Sequence, residues 1–521
     1  MIINPVIKGK QPVIDTLSVT PSTSPQQITA PQGTDGYSPV NVSAVTSSID
    51  ANIVAGNIKN GVSILGVTGD YTGGAPSRYL EFEVSSDGTL IRGKPNSPIN
   101  LNGVTALSGS YFFYNAYGED TNITGAINLS SLKTISGERV CYYMFYRCTG
   151  ITSVDLSSLT MVSGSYGCAN MFQFCTGITS VDLSSLVAVT GQNGCNSIFQ
   201  YCSNITSMNL SSLVTVTGSS GCYNMLNNCT NLSSVDISHL CKLETSSALS
   251  AFCYGCTSLT SLSFPNLAYT ATNFNGSLGN MLGGVTGCTV HFPAEWQTTM
   301  SSWSNVTAGF GGTNTTVLFD LPSVTTLDLS HIITVETSQL LYQLGYNNYF
   351  PNITSVDLSN LTTVSGSYGC QSMFQNCTGL TSVDLSSLTT VSGTSGCSSM
   401  FYGCTGLTSV DLSSLTTVSG SYGCGYMFQG CTGLTSVDLS NLTTVSGQNG
   451  CQYMFYSCTS LTSLSFPSLS TVENAQVFSR MLEGVTGCTV HFPSNLSSYQ
   501  FENYVNGSNT TVLYDLPSTG S

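Results

Sequence analysis

The stretch LTSVDLSSLTTVSGTSGCSSMFYGCTG, residues 380–406, decides the fold, because near-copies precede and follow it at a spacing of 27 residues. Its central aspartate is Asp384; the same slot holds Asp357, Asp411, Asp438 and Ser465 in this half of the chain, and Asn128, Asp155, Asp182, Asn209, Asp236 and Ser263 in the first half. A unit of this length is too small to bury a core alone. Its copies reach stability by stacking into one quasi-one-dimensional core, which defines a solenoid.

Working outward from Asp384, the residues Leu380, Val383, Leu385, Leu388 and Val391 follow the rhythm L-x-x-L-x-L-x-x-L-x-x-V. The period of two at Val383-Asp384-Leu385 turns Val383 and Leu385 inward and Ser382, Asp384 and Ser386 outward, so each repeat contributes one short strand to a parallel sheet. The cysteine segment has a different spacing. Cys370, Met373, Phe374 and Cys377 stand at i, i+3, i+4 and i+7, as do Cys397-Met400-Phe401-Cys404 and Cys424-Met427-Phe428-Cys431, which predicts a short helix with one apolar face. The expected fold is therefore an α/β solenoid with a strand and a short helix per repeat.

The block of repeats is itself duplicated. Met281–Pro293 returns with one change as Met481–Pro493, and 313–322 returns slightly altered as 508–517, so each array ends in a unit that breaks the register, as a cap does. Four regions follow: a β-rich N-terminal attachment region (1–76), a β-hairpin or linker (77–100), and two capped repeat modules (101–320 and 321–521).

Only 7% of the 521 residues are charged, and the net charge of −15 is unevenly placed. From Thr149 onward the only cations are Lys242 and Arg480 against sixteen carboxylates. Such a surface does not neutralise phosphates, which argues against nucleic acid and anionic lipid as partners. No stretch approaches the length of apolar residues that spans a bilayer, so membrane insertion is not expected. Met1-Ile-Ile-Asn-Pro5 lacks the basic start and apolar run of a secretory signal, so the expectation is a chain made and folded in the cytosol.

The 21 cysteines come mostly as C-x6-C pairs, about 10.5 Å apart along a helix axis, too far for a disulfide within a repeat. They read as buried thiols serving as small hydrophobes. Cys253 and Cys256 have metal-ligand spacing but no second pair nearby, so no metal and no cofactor are expected. The aspartate ladder sets like charges one strand apart; calcium or hydrogen bonds from the flanking serines would relieve them. His239 and His331 are isolated in the sequence, and His291 and His491 stand three residues after Cys288 and Cys488 in matching cap positions. A structural role suits them better than a Cys-His dyad, which needs an exposed and oriented pair. No motif points to an enzyme.

What differs between repeats is more informative. Of the positions facing away from the apolar face in eight cysteine segments, nine hold tyrosine: Tyr142, Tyr143, Tyr146, Tyr201, Tyr223, Tyr402, Tyr426, Tyr453 and Tyr456. Ser, Asn, Gln and Gly fill most of the others. Tyrosine among small polar residues is the composition of adaptable binding surfaces, so these nine are the candidate ligand-binding residues. The alternative is that the rings fill grooves between neighbouring repeats.

The L-x-x-L-x-L rhythm joined to M-F-x2-C-T-G-L-T resembles the BspA-type leucine-rich repeats of bacterial surface proteins, over roughly residues 100–517. The segment 16–73, with TPSTSPQQITAP, DGYSPVNV and GNIKNGVSILGVTG, resembles an N-terminal module of phage tail fibres and other virion proteins. Together these resemblances imply a non-enzymatic, virion-associated adhesin. Its N-terminus would dock on virion or tail proteins, and its repeats would reach a host-surface glycan or protein. The alternatives are a bacterial cell-surface adhesin and a purely structural fibre or decoration protein. A homo-oligomer is left open, since no heptad repeat is visible.

Overall fold

A computed structural model describes residues 105–518 except 112, 121–122, 246, 269–273, 298–308, 337 and 347–348, together with the backbone of six short strands before residue 105. The chain divides into two compact units, Met1–Arg78 and Tyr79–Ser521. In the first, Gln26–Ile28 pairs antiparallel with Val40–Val42, and Ser63–Ile64 with Val67–Thr68. The rest of the segment that resembles a virion module lies outside the described residues. The second unit starts with the antiparallel pair Phe82–Val84 and Leu90–Gly93.

Each repeat then forms one coil of a β-solenoid with two strand segments. The Val-Asp segments stack as a parallel sheet, Thr124–Asn128, Gly150–Asp155, Ser180–Asp182, Ser207–Asn209 and Ser234–Asp236 in the first array. In the second array Thr326–Asp328, Ser355–Asp357, Ser382–Asp384, Ser409–Asp411 and Ser436–Asp438 do the same. A second parallel ladder runs along the flank of each array, for example Met161–Val162 beside Ala188–Val189 and Thr390–Val391 beside Thr417–Val418. Asp384 pairs with Asp411 and Ser409 with Ser436, so the aspartates lie in register.

The expected helix in each repeat is not there. The cysteine segment is a run of linked turns in which every fourth residue takes a left-handed backbone: Tyr166, Asn170 and Phe174 have φ of 54°, 56° and 64°, and Tyr422, Tyr426 and Gly430 have 52°, 59° and 74°. Amides alternate between two partners. Met171 N bonds Cys168 O and Gln173 N bonds Asn170 O within the coil, whereas Phe172 N bonds Ile198 O and Phe174 N bonds Gln200 O in the next. The physical reason is spacing. Strands stack about 4.8 Å apart, whereas an α-helix with its side chains is about 10 Å wide. A flat turn ladder keeps the step of the sheets and satisfies its backbone in the neighbouring coil. Cys, Met-Phe and Cys still point inward, because a four-residue turn period and a 3.6-residue helix period coincide over eight residues.

The column Gly137, Gly164, Gly191 and Gly218 shows how tightly the coils approach. A Cβ on Gly191 would lie 2.2 Å from the carbonyl oxygen of Gly164. Inside, phenylalanines stack coil on coil, Phe145–Phe172–Phe199 with centroids 5.0 and 5.6 Å apart and Phe401–Phe428–Phe455 at 5.7 Å. The second cysteine of each pair donates its thiol hydrogen to a carbonyl of the preceding coil, Cys175 to Phe145 O at 2.9 Å and Cys404 to Phe374 O at 3.1 Å. Alanine or valine at that position could not make this bond. Each array ends in a three-stranded parallel sheet whose last two strands are longer, Ser261–Ser263, Thr289–Pro293 and Thr316–Leu321, then Ser463–Ser465, Thr489–Pro493 and Thr511–Leu516.

The arrays also touch one another. Met161, Val187, Ala188, Val214, Cys241 and Ala268, on the flank of the first array, belong to the apolar cluster that continues into the core of the second. Lys242, 1% exposed, donates to Tyr342 O at 2.6 Å and pairs with Glu244.

Candidate functional site

The left-handed positions of the turn ladder carry the most distinctive surface. A residue in that conformation interrupts any helix, and the columns of such positions, most of them half-buried or exposed, form a ribbon along each array. Of the nine tyrosines predicted as ligand-binding, Tyr143, Tyr201, Tyr426 and Tyr453 have positive φ. Tyr201 is 38% exposed, and the other eight are half-buried.

The structure brings seven of the nine into ring contact within runs. In the first array Tyr114 stacks on Tyr142 at 5.5 Å, Tyr142 meets Tyr143 edge-on at 4.3 Å, and Tyr143 meets Tyr146 at 5.0 Å. The run continues through Phe174, 5.8 Å from Tyr146, to Tyr201, which lies parallel to Phe174 at 4.4 Å. In the second array Tyr426 stacks on Tyr453 at 4.7 Å, and Tyr453 meets Tyr456 at 5.7 Å. Tyr223 and Tyr402 stand on the same face, but no ring pairing joins them to these runs among the described residues.

Three arginines sit on the ribbon with their guanidinium groups over aromatic rings: Arg139 over Tyr111 and Tyr166, Arg147 over Tyr146 and Phe174, and Arg480 over Tyr453. The cation is drawn to the ring faces, which tethers each long side chain. Burial, with a hydrogen bond to Tyr143, pushes the Tyr142 phenol up to about 12, so it stays neutral and able to donate.

Sequence reading missed Tyr111, Tyr114, Arg139 and Tyr166, which lie outside the C-x6-C segments, and Phe174, which stands at an outer position of such a segment but is not a tyrosine. The available signal was the recurrence of Asn and Gly at four-residue spacing, as in Ser399-Gly403, Asn224-Asn228 and Ser372-Asn376, all with positive φ.

The other candidates resolve into structural roles. The Asp384 carboxylate accepts from Ser386 N at 3.0 Å and Ser386 Oγ at 2.6 Å, and Asp155, Asp182, Asp236, Asp357, Asp411 and Asp438 accept the same backbone bond from the serine two residues on. Hydrogen bonds from the side chain and backbone of Ser413 hold Asp411 below the usual carboxylate range, and Ser330 does the same for Asp328. This is the serine alternative to calcium. No group of three or more His, Cys, Asp or Glu side chains that could hold a metal occurs among the described residues.

In the caps, His291 Nδ1 bonds Asp320 at 2.8 Å and His491 Nδ1 bonds Asp515 at 2.9 Å. Cys288 and Cys488 are buried immediately before the same strands, and burial pushes both thiols up to about 11, opposite to what a nucleophile needs. His239 and His331, distant in sequence, are not isolated in space: their ring centroids lie 4.9 Å apart at the contact between the arrays. No helix among the described residues is long and apolar enough to cross a membrane.

Solved structures similar to the chain include a leucine rich cell surface protein from Faecalibacterium prausnitzii, 13% identical over 70% of this chain and 95% of that one, with a TM-score of 0.21. A leucine-rich repeat protein from Eubacterium ventriosum is 17% identical over 79% of this chain and 93% of that one, also with a TM-score of 0.21. A leucine-rich repeat protein from Leptospira interrogans is 10% identical over 76% of this chain and 95% of that one, with a TM-score of 0.17. None of the curated proteins matches the chain. The BspA type leucine rich repeat region, in six copies, matches residues 109–274 and 371–511. These matches take in more than half of the sequence and the coils described above, and the chain belongs to the BspA type leucine-rich repeat family.

Proposed function

We propose that this chain is a non-enzymatic adhesion protein whose solenoid presents the aromatic ribbon to a glycan or protein on a cell surface. The observation that carries this reading is the run Tyr114–Tyr142–Tyr143–Tyr146–Phe174–Tyr201, aromatic contacts that pass unbroken from coil to coil on the outer face. Tyrosine supplies broad amphipathic contact at little cost in side-chain entropy, and rings already braced by their neighbours lose still less on binding. The scaffold is constant and the outer face varies, which separates stability from recognition. Carboxylates far outnumber cations among the few charged residues of the repeats and disfavour polyanionic ligands.

Two settings suit such a protein. Family membership supports a bacterial surface adhesin. The resemblance of residues 16–73 supports docking on a phage particle, with the repeats facing the host. Labelling intact bacteria and purified particles with an antibody to the repeats separates them, because only one carries the epitope.

The binding face is tested by replacing Tyr143, Tyr146 and Tyr201 with Ser in the full chain and measuring retention on candidate host cells by flow cytometry. Retention is expected to fall about tenfold or more, as loss of several interface anchors brings, with little change in melting temperature. Lost stability with undiminished retention assigns the rings to packing alone. Wild-type protein that binds no candidate host leaves the structural-fibre role.

A further inference from the structure

In most coils the third residue after the central aspartate or asparagine is Ser or Asn, as at Ser158, Ser185, Ser212, Asn360, Ser387 and Ser414. Two coils carry histidine there, His239 and His331, and those two meet across the contact between the arrays, centroids 4.9 Å apart and planes at 61°. The ring of His239 is held by backbone of the first array, where its Nδ1 bonds Ser211 O. His331 Nε2 is buried and has no hydrogen-bond partner. A proton added there would be a donor without an acceptor, next to a second imidazole.

The surrounding charges offer little relief. Asp328, the carboxylate that acts on both rings, already accepts from Ser330 N and Oγ, and Asp236, on the strand before His239, accepts from Ser238 N. Lys133 and Glu336 line the same inter-array cleft of about 490 Å³ as His331. Lys242, paired with Glu244, adds a buried positive charge at the junction.

We propose that His239 and His331 form an acid-sensitive latch between the two arrays, closed when the buried His331 ring is neutral and loosened when it is protonated. Burial first, then the neighbouring His239, lower the proton affinity of His331 in the closed form. A base with lowered affinity in the closed state makes that state less stable as pH falls below the ordinary histidine value of about 6.5, and has no effect above it. Loosening would uncover Met161 and Val187 and widen the cleft between the flank and the 331–340 segment.

Hydrogen–deuterium exchange of the full chain at about pH 7.5 and about pH 5, corrected for intrinsic rates, tests the latch. Amides of 332–344 and 187–189 should exchange several-fold faster in acid, the direction that a weakened proton affinity of His331 in the closed state predicts. Amides of 397–404, inside the second array, should stay protected. In the double variant His239→Ser, His331→Ser, which restores a residue found in other coils, exchange should be the same at both pH values. Equal protection of wild type at both values, an acid response that survives in the double variant, or simultaneous loss of protection in 397–404 would each overturn the proposal.

Discussion

The flanks of the two arrays are built from the same two positions of the repeat and come to opposite ends. In the second array they are Thr362-Thr363, Thr389-Thr390, Thr416-Thr417 and Thr443-Thr444, all half-buried, and Thr389 and Thr416 donate their hydroxyls to Thr362 O and Thr389 O of the preceding coil. In the first array the corresponding pairs include Val187-Ala188, Val214-Thr215 and Cys241-Lys242, all buried, because the first coil of the second array packs over them. A coil that departs from its own consensus toward apolar residues marks a surface that something covers. The hydroxyl ladder marks one left to water.

Charge at the covered flank should have the largest effect. Val187→Asp is expected to cost about 3–5 kcal/mol in urea denaturation, the penalty of an uncompensated buried charge, whereas Thr389→Asp at the matching position should stay within about 0.5 kcal/mol. Equal costs would mean that the flanks do not differ.

Lys242 tests the same contact from its polar side. Lys242→Ala leaves Tyr342 O without its donor and opens a cavity, for a loss of about 2–3 kcal/mol, and Lys242→Met, which keeps the volume, should lose less. Thr417→Ala, its counterpart on the open flank, should change the midpoint little.

The inner set is common to both arrays, so its substitutions should not tell them apart. Cys202→Ala and Cys404→Ala each remove a buried thiol donor and should each cost about 1–2 kcal/mol. A large difference between them would show that the arrays are packed differently inside as well.

The smallest effect is expected on the ribbon. Ser399, at φ 55°, occupies a left-handed position that glycine adopts without strain, and Ser399→Gly should raise stability by about 0.5–1 kcal/mol in thermal melts. A helix in this segment would give the reverse sign, since glycine weakens a helix by a similar amount.

Much of the scaffold was legible without coordinates. Val383, Leu385, Leu388, Val391, Cys397, Met400, Phe401 and Cys404 were read as inward-facing, and all are buried. The choice between helix and turn ladder was not legible there. Eight residues with apolar side chains at i, i+3, i+4 and i+7 suit both, and only the stacking step excludes the helix. The aromatic ribbon was half legible, because tyrosine enrichment showed as a count within the cysteine segments, while the ring contacts that join coil to coil, and the rings outside those segments, depend on stacking.

By itself the sequence determined the 27-residue coil, its inward residues, the duplication and the caps, since periodicity and side-chain polarity are local and repeat in every copy. Tertiary structure alone decided which outer face is covered and which histidines meet. Both depend on coils far apart in the chain being folded back against one another, and a pattern confined to one repeat carries no record of that approach.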